Sequence, residues 1–148
     1  VNDTYVVGAY IFYNLVYALF AFPAGMLADK VGMKNVFIIG LFLFAVVYAG
    51  MSHYNSIAAF IALFFLYGIF AATTDGISKA WISSIIGKNE AASGLGLFAG
   101  MQSIVALVSS SITGLIWYAF GGEAALLCSA VGSAVAVFYV IFFLKNPV

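Results

Sequence analysis

The chain has 148 residues, 66% of them hydrophobic and 7% charged, with five lysines against five acidic residues and no arginine. A soluble domain carries about 25% charged residues, so most of this surface faces something other than water, which excludes an ordinary soluble enzyme and a nucleic-acid binder with its basic patch. A mean hydropathy of +1.17 and 18% aromatic residues are the reverse of the signature of intrinsic disorder.

A bilayer core about 30 Å thick is crossed by roughly 20 apolar residues of helix. The first such run is Tyr5 to Leu27. It has no basic leader and four more runs follow it, so it is predicted to be a transmembrane helix and not a signal peptide. Tyr10, Tyr13, Asn14 and Tyr17 recur along it at i, i+3, i+4 and i+7, on one helical face. That face offers hydroxyls, an amide and rings either to a bound organic solute or to neighbouring helices. The run exits through Gly25-Met-Leu-Ala-Asp-Lys-Val-Gly32, followed by Lys34. Here Gly25 suits a close helix approach, Asp29 a helix N-cap and Gly32 a tight turn.

The second run, Asn35 to Ser52, is apolar on every face and is predicted to be a lipid-facing outer helix. His53 follows it and reads as a solvated turn residue. The third run, Ile57 to Ile86, contains the only charges inside a span, Asp75 and Lys79. The spacing puts them one turn apart with the acid N-terminal, and Tyr67, Thr74 and Ser78 continue a polar face beside them. Ionisable groups at this depth mark function by default. The alternative is a lysine that snorkels to the headgroups with its acid beside it, because the run is longer than one span and the depth of the pair is open.

In the fourth run, Ala91 to Phe120, small residues at Gly96, Gly100, Ser103, Ser110 and Gly114 favour close helix packing, and Gln102 and Ser103 are the candidate solute contacts. The fifth run, Ala124 to Leu144, is nearly all apolar and holds Cys128, a lone cysteine that supports neither a disulfide nor a metal site. No phosphate-binding loop, catalytic carboxylate pair, metal spacing or nucleophile triad is present. The sequence therefore predicts no cofactor, no metal, no nucleic-acid partner and no enzyme.

Lysines sort the connections. Lys30 and Lys34 follow the first run, Lys88 the third and Lys145 the fifth, whereas the alternate connections hold Asp3, His53 and Glu123. By the positive-inside rule the N-terminus is predicted outside and the C-terminus in the cytosol. Gly25 to Gly32 recurs as Gly114 to Gly121, an offset of 89 residues that also lays the second run over the fifth. The two glycine pairs fall on opposite sides of the membrane, which predicts inverted three-helix repeats with the counterpart of the third run lying before Val1. Inverted repeats are a signature of secondary transporters.

Gly25-Met-Leu-Ala-Asp-Lys-Val-Gly-Met-Lys34 resembles the signature loop of the major facilitator superfamily, usually written G-x-L-a-D-r-x-G-r-k. Tyr13-Asn-Leu-Val-Tyr-Ala-Leu and Phe22-Pro-Ala-Gly25 are similar to the family's eighth helix, and Leu66-Tyr-Gly through Ser93-Gly-Leu-Gly96 to helices ten and eleven. Lysine holds two of the basic positions and Met33 stands where a basic residue is common. The lysines keep the charge without the bidentate fork of arginine.

The resemblance implies an all-α, polytopic membrane protein: helices eight to twelve of the C-terminal half, a partial six-helix half-bundle without helix seven and without an initiator Met. It implies that Gly25, Asp29, Lys30, Gly32 and Lys34 form a loop that controls conformational switching. It also implies that the helix bearing Asp75 lines a central cavity. The expected function is secondary active transport of a small solute by alternating access, as an ion- or proton-coupled symporter or antiporter in a bacterial cytoplasmic (inner) membrane. The expected partners are the bilayer, the solute and the missing N-terminal helices of the same transporter. The alternative is a non-transporting, half-size membrane interaction protein with the same fold.

Overall fold

The computed structural model describes residues 3–54, 56–86 and 90–144. They form five helices: α1 (Asp3–Val31), α2 (Met33–His53), α3 (Ile57–Ile85), α4 (Ala91–Phe120) and α5 (Gly122–Phe143). Each is long and apolar enough to cross a membrane, since a backbone surrounded by hydrocarbon has to satisfy its hydrogen bonds within its own helix. Lys88 and Lys145 lie outside the described residues, so Lys30 and Lys34 are the lysines of the orientation reading that the structure places.

The glycine signature is a helix end more than a loop. α1 continues through Gly25, Asp29 and Lys30 to Val31, and a single residue, Gly32, separates it from α2. Gly32 has φ 92° and Gly121, between α4 and α5, has φ 89°; among the described residues these are the two with positive φ. A side chain would clash with the backbone there, so the reversal between helices requires glycine. The expectation that Asp29 caps a helix N-terminus is not met. Gly32 is itself the N-cap of α2, with no side-chain capping bond, and Asp29 sits in the last turn of α1.

Lateral contacts run in the order α1, α3, α2, α5, α4. α2 lies between α3 and α5, with Val36 and Val47 fully buried on one side and an exposed apolar stripe at Ile39, Phe42 and Val46 on another. Around Val36 a small core forms with Ala28 of α1 and Ile77 of α3, covered by Met33 and Phe37. Phe20 and Phe65 meet edge to face, at 5.7 Å between centroids, across α1 and α3.

α2 and α5 run antiparallel. Side chains of α2 and α5 reach each other's backbone at three levels: Lys34 Nζ donates to the carbonyls of Ile141 (3.3 Å) and Leu144, Ser133 Oγ to Leu41 O at 2.7 Å, and Ser52 Oγ to Glu123 O at 3.4 Å. Lys34 also brings its charge to the carbonyl end of α5, the favourable end of that helix dipole.

α1 packs tightly on α3 at Gly68, where an added Cβ would lie 2.7 Å from Val16 Cγ1 and 3.2 Å from the Tyr13 carbonyl, whereas at Gly76 of the same helix it would meet nothing within 4 Å. Gly68→Ala is expected to cost about 1–3 kcal/mol through overpacking and to lower the melting temperature in detergent. Gly76→Ala should leave it unchanged or raise it slightly, since alanine is the better helix former. Equal melting of the two variants would remove the tight α1–α3 contact from the account.

Candidate functional site

Tyr17 is the middle residue of α1, about 21 Å from either end at 1.5 Å per residue. Its hydroxyl donates to Asp75 Oδ2 of α3 at 3.4 Å. The other carboxylate oxygen, Oδ1, is 3.0 Å from Lys79 Nζ. The pair is thereby tied to the middle of the neighbouring helix, which favours the deep reading of Asp75 over a pair at the headgroups. Both side chains are half open, 42% exposed for Asp75 and 51% for Lys79, so the carboxylate faces outward from the α1–α3 seam and not into packed protein.

Tyrosines line the seam beside the pair. The rings of Tyr13 and Tyr67 lie 5.2 Å apart and tilted by 33°, and Tyr10 continues the row at 6.3 Å from Tyr13. Tyr48 of α2, which sequence reasoning missed, joins Tyr67 at 6.2 Å and stacks on Phe44 at 4.0 Å. Its signal was the aromatic i, i+4 pair of Phe44 and Tyr48, hidden in a helix that is aromatic and aliphatic throughout.

Of the sequence-predicted residues, the structure brings together Tyr10, Tyr13, Tyr17, Tyr67, Asp75 and Lys79. Asn14 is exposed and donates to the Tyr10 carbonyl at 2.8 Å. Thr74 and Ser78 flank the acid but turn their hydroxyls to Phe70 O and Asp75 O, at 2.8 and 3.0 Å. Gln102 is exposed on α4, the helix with no buried residue among those described. Gly25, Asp29, Lys30, Gly32 and Lys34 sit together at the end of α1 and the start of α2; Asp29 is about 18 Å along α1 from Tyr17.

An open cleft of about 390 Å³ lies at the Glu123 end between α2, α3 and α5. Met51, Ile57, Phe60, Leu63 and Leu126 give it an apolar lining, with Tyr54 and Ser56 at the helix ends.

An acid–lysine pair, a cross-helix tyrosine and a row of rings beside the middle of α1 form a polar wall on a bundle of five candidate membrane spans. Comparison with known proteins gives the same class. The chain is 38% identical over 111 residues, 75% of its length, to an uncharacterized MFS-type transporter of Methanocaldococcus jannaschii, covering 28% of that protein. It is 27% identical over 118 residues, 80% of its length, to a Bacillus subtilis protein provisionally named niacin/nicotinamide transporter NiaP, covering 30% of it. The chain thus spans less than a third of either relative. No solved structure matches it. The model of the Major Facilitator Superfamily matches residues 4–148, and it is to this superfamily of membrane transporters that the chain belongs.

Proposed function

We propose that this chain forms one side of a secondary active transporter that moves a small solute by alternating access, with Asp75 as the group that couples an ion, a proton in the simplest case, to solute movement. The arrangement that carries the reading is the half-open carboxylate held between Tyr17 and Lys79 near the middle of the bundle. A carboxylate at that depth is costly unless it is paired or hydrated, and a site that alternately faces two solutions changes both conditions in each cycle. The five helices correspond to helices eight to twelve of the superfamily. The Lys34 end faces the cytosol, which puts the N-terminus outside, and the exposed faces of α1, α3 and α4 pack against further helices of the same transporter in the cytoplasmic membrane.

The test is accumulation in proteoliposomes of the natural protein that contains this chain, with an imposed proton gradient and with or without a proton uncoupler. Solute accumulation that collapses with the uncoupler supports coupled transport. Binding without any flux would favour the non-transporting membrane interaction protein, and accumulation indifferent to the uncoupler would move the coupling to another ion.

In this reading the glycine signature controls switching. Asp29→Ala is expected to slow transport severalfold while solute affinity stays the same, because the residue lies at a helix end remote from the Asp75 wall and acts on the populations of states. Parallel uptake and equilibrium-binding titrations check it. Matching losses of rate and affinity, or no loss of either, would argue against a gate at this turn.

A further inference from the structure

Asp75 and Lys79 stand apart from the other charges of the five helices. Asp3, Asp29, Lys30, Lys34 and Glu123 all lie in a first or last turn, whereas Asp75 and Lys79 lie in the interior of α3. Among the described residues they form the one ion pair, at 3.0 Å. The titratable groups that α1 brings to them are tyrosines: Tyr17 on Oδ2, with Tyr13 one turn before it. α2 brings Tyr48 to Tyr67, two turns before Asp75, and the tyrosine of α4, Tyr118, sits in that helix's last turn. Each member of the pair is thus the other's counter-charge.

The pair alone sums to zero. A proton added to Oδ1, the oxygen that Tyr17 leaves to Lys79, cancels the carboxylate and leaves the ammonium uncompensated. A singly charged anion added without the proton leaves one negative charge in excess. With both bound, the set returns to zero.

Net charge inside a span is costly. The empty pair and the doubly loaded pair therefore pass readily between the two sides, while the singly loaded forms do not, which is the rule that symport requires. A neutral solute leaves the sum at zero without the proton and would move uncoupled. A cationic solute reaches zero in no combination, and exchange of a cation for a proton would be short-circuited by the neutral empty form.

We propose that the solute is a singly charged anion such as a carboxylate, bound together with a proton: the proton goes to Asp75, and the anionic group to the ammonium of Lys79 that protonation releases. The ammonium has three donors and its side chain is 51% exposed, so one ionic group can reach it without displacing packed side chains. By linkage the proton and the anion each raise the other's affinity. The proposal rests on the reading of Asp75 as the coupling group, and the experiment separates the two.

The natural protein containing this chain is purified and tested for equilibrium binding of radiolabelled acetate, benzoate, benzamide and benzylammonium, across pH values at which both carboxylates stay ionised. Proton uptake is followed with an indicator dye in weak buffer. A carboxylate is expected to bind about tenfold or more tighter than the amide or the amine, the size of one charge-assisted hydrogen bond. Its affinity should fall as pH rises, and at the alkaline end about one proton should be taken up per anion bound. Asp75→Asn leaves Lys79 without a counter-charge at every pH. At alkaline pH it should therefore bind the same anion about tenfold or more tighter than wild type, with no proton uptake and no pH dependence. Lys79→Gln should erase the preference for the anion and Lys79→Arg should keep it. If Lys79→Gln does not insert, the gain in Asp75→Asn carries the test, since misfolding does not raise affinity. Tighter binding of the amide or the amine, anion binding without proton uptake, or no binding of any of the four overturns the class. If Asp75→Asn then still alters the affinity or pH dependence of whichever probe binds, coupling at Asp75 stands while the class falls. If neither inserted variant alters its binding, the coupling reading is lost as well.

Discussion

Asp75→Asn is expected to abolish gradient-driven accumulation while solute exchange at equal concentrations continues. The substitution keeps the shape of the side chain and its acceptor oxygen for Tyr17, which approaches Oδ2 at 3.4 Å, but it removes the one acid of α3. A transporter that cannot load and unload a proton still cycles with its solute and brings the two sides only to equality. The steady-state ratio should therefore fall to about one, and counterflow without a gradient should persist, because the differential affinity that drives accumulation is gone while the states remain. The ammonium of Lys79, left 3.0 Å from a neutral amide in place of its counter-ion, is half exposed and can turn to water, so insertion and folding are expected to survive. Wild-type accumulation in the variant would reduce Asp75 and Lys79 to a snorkelling pair.

The helices were legible because each is a run of about twenty apolar residues, and the hydrophobic thickness of a membrane leaves such a run one structure. The two helix reversals at glycine were legible for a backbone reason: among the described residues Gly32 and Gly121 are the two with positive φ, so the sequence carries glycine at both. The end of α1 was not. Hydropathy falls at Leu27, yet Ala28, Asp29 and Lys30 remain helical to Val31, and charge marks where lipid ends without marking where hydrogen bonding ends.

Which face of α2 packs was not legible for a related reason. In lipid an all-apolar helix is equally at home against hydrocarbon or against protein, and what sets the face of α2 is close packing around Val36 and Val47, which hydropathy does not record. In the candidate site, the i, i+3, i+4 spacings put the tyrosines of α1 on one face and Asp75 beside Lys79. The approach of Tyr17 to Asp75 spans 58 residues of sequence and is a product of how α1 and α3 pack. Lys34 gave no signal of its contact with α5, because a lysine at a helix start looks the same whether it meets water or a neighbouring helix's last carbonyls.

The 148 residues reconstituted alone are expected to insert and yet move no solute. α1, α2, α3 and α5 hold one another through the Gly68 contact, the Val36 core and the three levels of α2–α5 hydrogen bonds, which supports insertion as a unit. The α1–α3 wall, however, faces outward: Tyr10 is two-thirds exposed and the Asp75–Lys79 pair is half open. α4 has no buried residue among those described, and its Ser103, Ser109, Ser110 and Ser111 hydroxyls all donate back to its own carbonyls. A solute path needs a second wall to exclude lipid from these groups, and alternating access needs that wall to rock against the first. The expected result is thus no solute flux above that of empty liposomes for the purified chain, with flux restored when the helices proposed to complete the transporter are co-expressed as a separate polypeptide. Flux through the chain as a monomer, verified by cross-linking at low protein-to-lipid ratio, would show that one wall suffices and would reopen the architecture of the path.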